Sequence, residues 1–177
     1  MAKAEITKRA LAAAMKRLLP DMPYEKVSVS MIADEAHMNR KSFYYHFKGK
    51  AELVNWILDT EFKDYLETTP EEEEGWEVIE MLVSYLYKEK GFYCSILQST
   101  GYGPLSSIMF PVIAGYIKDM FGIADESDPV IMLAADTLLA SIFRWLLSGS
   151  DVMPDAFVNG LKESILKLSK EWIRHLI

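Results

Sequence analysis

The 177 residues predict an all-α chain of about nine helices, with a short N-terminal head and a longer helical body. Apolar residues recur at spacings of three and four along nearly the whole length, and no sustained alternation of apolar and polar residues, the mark of a half-buried strand, appears. Half of the residues are apolar, enough to build a sizeable core. Gly, Pro, Ser and Thr interrupt the periodicity where helices must stop and turn.

The first helix spans residues 6–19. Two short helices follow within residues 28–50. Ser28 or Ser30 caps the first of them, whose Val29, Ile32, Ala33 and Ala36 fall at helical spacing and face a core. His37 and Met38 form the turn. Asn39 is a favoured N-cap for the second, residues 40–47, where Phe43 and Phe47 stand four apart and point inward. The rest of that helix is left with Arg40, Lys41, Ser42, Tyr44, Tyr45 and His46. Cationic and hydroxyl groups suit phosphates and base edges, and flat rings suit sugars and thymine methyls, so a helix of this kind can lie in a major groove.

In the body, residues 51–67 place Leu53, Ile57 and Phe62 in one stripe with Trp56 and Tyr65 beside it. Thr68, Thr69, Pro70 and the run Glu71 to Glu74 break that helix and form a solvated loop, favourable ahead of the next helix dipole. A helix over 75–90 follows and Gly91 ends it; 92–99 forms a short helix before a loop at 100–104. Residues 105–121 form a helix that Pro111 kinks, which can open room for a ligand. After a loop at 122–129, the apolar helix 130–147 ends at Ser148-Gly149-Ser150, and a last helix runs over 154–176 with Pro154 at a permitted first-turn site.

The stretch 28–50 resembles the TetR family of bacterial transcription regulators. That family's pattern runs apolar, Ile-Ala, small residue, turn, Ser or Asn, then a short helix ending Tyr-Tyr/Trp-His-Phe and a basic loop. The resemblance covers about the first third of the chain and implies a TetR-like fold, with a helix-turn-helix DNA-binding domain at 1–50 and a regulatory and dimerisation domain at 51–177. The matching DNA-contact positions are Ser28, Ser30, Arg40, Lys41, Ser42, Tyr44, Tyr45, His46 and Lys50. Among these, Tyr44 and Lys50 correspond to backbone contacts, while Arg40, Lys41 and Tyr45 lie nearer base edges. The family usually has Gly in the turn, and His37 must take its positive φ here at a modest cost.

Charge agrees with that reading. Residues 1–50 carry ten Lys/Arg against five Asp/Glu, net +5, and residues 51–177 carry nine against twenty-one, net −12, together the overall −7. A basic head and an acidic body confine polyanion binding to one end. Taken singly, Lys3, Lys16 and Lys26 read as solvated surface residues. The lone Cys94 excludes an intramolecular disulfide, and with no apolar N-terminal segment a reducing cytoplasm is expected. Asp136 and Arg144 interrupt the apolar run at 130–147, which reads as a buried or interface helix and not a membrane span.

A dimer is expected from the last two helices. Phe157, Leu161, Ile165, Leu168 and Trp172 repeat at three or four, Gly160 admits a partner backbone, and a short head gains affinity by binding two half-sites. The partner is then a palindromic operator in double-stranded DNA. The family resemblance implies an inducer pocket among the middle helices, and Trp76, Tyr93 and Tyr116, each with a polar atom on an apolar body, are its candidate lining. The leading expectation is a repressor released by a small-molecule effector. A second resemblance, carried by residues 24–58, Gly75-Trp76 and Phe92-Tyr93, points to a subgroup that includes regulators of dihydroxyacetone kinase operons, in which a kinase-like protein partner can be the effector and activation the outcome. Enzyme chemistry is not expected: His37, His46 and His175 show no metal-ligand spacing, Cys94 has no companion base, and no cofactor loop is evident.

Overall fold

The computed structural model of the chain describes residues 3–67, 75–125, 127–149 and 152–176, the side chains at positions 63, 66, 67, 172 and 176 excepted. Among these residues there are nine α-helices, one 3-10 turn and no strand: α1 (Lys3–Leu18), the 3-10 turn (Tyr24–Lys26), α2 (Val29–Glu35), α3 (Arg40–His46), α4 (Lys50–Glu67), α5 (Trp76–Lys88), α6 (Lys90–Thr100), α7 (Gly103–Phe121), α8 (Pro129–Leu147) and α9 (Pro154–Leu176). The acidic run Glu71 to Glu74 lies outside the described residues.

Helix α1 packs on α2, α3 and α4 to make the head, because Leu11, Ala12, Ala14 and Met15 fall at helical spacing and bury one face. Residues Leu53, Ile57 and Phe62 of α4 are buried as their stripe required. In the body, α7 lies along α8, α6 bridges α7 and α8, and α5 carries α9. One apolar cluster runs from Leu11 to Val158, so the core is continuous across the boundary expected at residue 50.

Helix α8 is long and apolar enough to cross a membrane by length and composition alone. Its buried residues, Ile131, Ala135, Leu138, Leu139, Ile142, Phe143, Trp145 and Leu146, instead form a stripe against α6 and α7.

Gly91 does not end a helix, contrary to the sequence reading. The break falls at Glu89, and Gly91 sits in the first turn of α6. A Cβ at Gly91 would meet Pro20 Cγ at 2.8 Å and Pro20 Cβ at 3.0 Å. The missing side chain thus serves a close approach, where α6 touches the turn that leaves α1. That contact, together with α6 against the 3-10 turn, seats the head on the body.

Candidate nucleic-acid interface

The two short helices of the head are built by their end residues. The Ser28 hydroxyl accepts from Met31 N at 3.2 Å to cap α2, and Asn39 Oδ1 accepts from Ser42 N at 2.9 Å to cap α3. Between them, Met38 N donates to Ala33 O at 2.8 Å and His37 N to Asp34 O at 3.0 Å, the paired bonds of a Schellman stop. His37 occupies the left-handed position of that stop at φ 54°, as expected from the missing glycine. Phe43 and Phe47 then anchor α3 in the core at 0 % and 3 % exposure.

With that face buried, Arg40, Lys41, Tyr44 and Tyr45 are exposed, Tyr45 to 85 %. The Arg40 guanidinium lies over the Tyr44 ring at 5.5 Å and donates to its hydroxyl at 3.2 Å, which holds both groups on one flank of α3. Ser42 and His46 are half-buried on the other flank. Ser30 is half-buried in α2, and the Ser28 side chain is already engaged as a cap.

Lys50 departs from the expected phosphate contact. Its ammonium donates to the carbonyls of Tyr24 at 2.6 Å, Val27 at 2.9 Å and Glu25 at 3.2 Å, and lies 4.2 Å from the centre of the Tyr24 ring. An ammonium has three N–H donors, and all three are used. Lys50 ties the start of α4 to the 3-10 turn ahead of α2. No signal announced this, because its partners lie more than twenty positions upstream and are backbone carbonyls.

Lys16, read from sequence as solvated, is 16 % exposed and lies between Glu61, with which it pairs directly, and Glu89, at 3.2 Å. Glu61 accepts from the Tyr85 hydroxyl at 3.5 Å, and Tyr93 donates to Tyr85 at 3.2 Å. Burial is the main reason both phenols titrate late, Tyr85 pushed up to about 12 and Tyr93 well above its ordinary value. This network joins α1, α4, α5 and α6. Its partners are far apart in sequence, so no local pattern could reveal it.

The three residues offered as pocket lining lie on three different helices, α5, α6 and α7. Tyr93 is 0 % exposed with its hydroxyl satisfied. Trp76 is half-buried at the start of α5 with the Lys162 ammonium over its ring at 5.6 Å, and Tyr116 is half-buried on α7. None of them lines either of two surface clefts, one between α8 and α9 of about 690 Å³ and one in the head of about 330 Å³.

The stripe proposed for dimerisation divides along α9. Phe157 stacks on Trp145 at 4.6 Å and Leu161 packs on the chain's own core, while Ile165 and Leu168 are exposed to 47 % and 55 %. The side chain of Trp172 lies outside the described residues. Val130 and Leu133 on α8 are exposed as well.

Residues 10–57 match the family model described as bacterial regulatory proteins, tetR family. A curated relative, the HTH-type dhaKLM operon transcriptional activator DhaS of Lactococcus lactis subsp. lactis (strain IL1403), is 32% identical over 97 residues, 54% of this chain and 51% of that protein. The chain thus spans about half the length of this relative. Among solved structures, a dihydroxyacetone kinase operon activator DhaS superposes with a TM-score of 0.70 at 21% identity, covering 96% of this chain and 97% of that one. The fatty acid degradation regulator FadR from Bacillus halodurans superposes at 0.65 and 14% identity, covering 89% and 93%. At these identities both likenesses speak for the fold.

Proposed function

Because residues 10–57 match the model of the tetR family of bacterial regulatory proteins, we propose that the chain is a sequence-specific transcription regulator that grips a roughly palindromic operator in double-stranded DNA as a homodimer. One observation carries the reading. Helix α3 hangs on Phe43 and Phe47 and turns Arg40, Lys41, Tyr44 and Tyr45 to solvent, which is the geometry a major-groove reader needs. The exposed apolar residues of α8 and α9 supply the dimer contact. Selection from a pool of random duplexes tests the function: the chain should enrich an inverted repeat, and no enrichment at low salt would refute it.

The body transmits an effector's signal to the head through α4 and the α6 contact at Pro20. A small molecule that releases a repressor was the first expectation. A second reading, an activator governed by a kinase-like protein partner, gains support from the packed Tyr93 and from the relatives named above as activators. A reporter gene behind the selected operator separates them, rising with the chain for the activator and falling for the repressor. Catalysis is not part of the proposal: burial pushes the Cys94 thiol up and it donates to Leu146 O at 3.2 Å, so it is not poised as a thiolate nucleophile. A protein that reads the bacterial chromosome works in the cytoplasm.

A further inference from the structure

We infer that the head cleft between α1 and α3 is a seat for one phosphodiester of the duplex, with Thr7 of α1 as a DNA contact and Lys41 a phosphate contact in place of a base-edge one. The inference rests on the DNA-binding reading above and deepens it. The cleft, of about 330 Å³, is lined by Thr7, Asn39, Lys41, Ser42, Tyr45 and His46. Every one of these side chains can donate a hydrogen bond, and none is acidic, in a chain of net charge −7.

Internal bonds engage two of the six donors, Thr7 Oγ1 donating to Lys3 O at 3.2 Å and Ser42 Oγ to Asn39 Oδ1 at 3.2 Å, both at exposed sites where a phosphate oxygen can replace the acceptor. Asn39 Oδ1 is occupied by Ser42 N at 2.9 Å and Ser42 Oγ at 3.2 Å, which leaves the amide Nδ2 hydrogens for a ligand. Lys41 is exposed and has no carboxylate within ion-pair distance among the described residues. The Tyr45 ring stands edge-on to His46 with centroids 5.0 Å apart and shapes the cleft. Helix α1 lies to the side of α3, so a group reaching Thr7 must come from the wall of the groove, and that wall is phosphate. Arg40 and Tyr44 hold the opposite flank of α3 and have no part in the cleft.

The test is fluorescence anisotropy of the full chain on two labelled duplexes, one of arbitrary sequence and one selected by the chain, between about 50 and 200 mM NaCl. Lys41→Gln should weaken both duplexes by the same factor and lower the slope of log K against log salt by about 0.9. Thr7→Val should weaken both about threefold with the slope unchanged, as loss of one neutral hydrogen bond requires. An unchanged slope in Lys41→Gln, a loss confined to the selected duplex, or full affinity in Thr7→Val overturns the inference. So does a thermal stabilisation of the wild-type chain by inorganic phosphate, at matched ionic strength, that Lys41→Gln abolishes, since the seat would then take the free anion. Failure of the wild-type chain to bind either duplex would instead refute the DNA-binding reading itself.

Discussion

Replacing Lys50 with Met keeps the length of the side chain and removes the ammonium that ties α4 to the turn before α2. Two of the bonds lost, to Tyr24 O at 2.6 Å and Val27 O at 2.9 Å, are partly buried, while the carbonyl of exposed Glu25 can turn to water. At about 1 kcal/mol for each partly buried bond, below the roughly 1.5 to 3 kcal/mol of a charged donor because the site is half open to water, plus about 0.5 kcal/mol for the contact with the Tyr24 ring, the loss is about 2 to 3 kcal/mol. For a chain of this size that is a fall in Tm of roughly 5 to 10 °C. Thermal unfolding followed by circular dichroism measures it, and the salt dependence of DNA binding is measured beside it. The account requires a lower Tm and an unchanged salt slope. A Tm within a degree of wild type, with a slope lowered by about 0.9, would show that the ammonium leaves its carbonyls for a phosphate and would refute this assignment.

Three further outcomes follow from backbone and burial. His37→Gly relieves the left-handed strain at φ 54° and should raise stability by about 1 kcal/mol in chemical denaturation, with a fall excluding the strain argument. Gly91→Ala should lower stability by about 1 kcal/mol despite the better helix propensity, because its Cβ would press on Pro20; Gly115→Ala in α7, with nothing within 4 Å, should raise it by a few tenths to about 1 kcal/mol, and equal effects would show that the close approach is not tight. Tyr85 ionises later in the folded chain than in the unfolded one, so its contribution is full below pH 10 and is lost as pH rises from 10 to about 12. In Tyr85→Phe, stability should fall less steeply over that window than in wild type, and parallel curves would mean that Tyr85 titrates freely.

What the sequence made legible was local. Ser28, Asn39, Phe43 and Phe47 act within one turn of their own positions, so capping and periodicity placed them correctly, and α9 begins at Pro154 as first-turn proline chemistry required. The misreadings are long-range. Gly91 was taken for a stop because glycine usually is one, whereas the reason for it lies in Pro20, which only the folded chain brings near. Lys50 was expected at the DNA backbone and Lys16 in solvent, and each is held by groups that no pattern in the chain connects to it. Thr7 escaped notice because a hydroxyl on a helix carries no signal until α3 is laid beside it. The candidate pocket residues were chosen by residue type, and type alone does not say that Tyr93 is satisfied inside the core.

Hydroxyl-radical footprinting of the full chain on a selected duplex tests the central claim most directly. The account expects two protected patches related by a twofold axis, with centres one helical turn of about 34 to 36 Å, or a multiple of it, apart, and both lost in Arg40→Ala. A single patch, or protection that Arg40→Ala leaves intact, would contradict a dimer that reads DNA through α3.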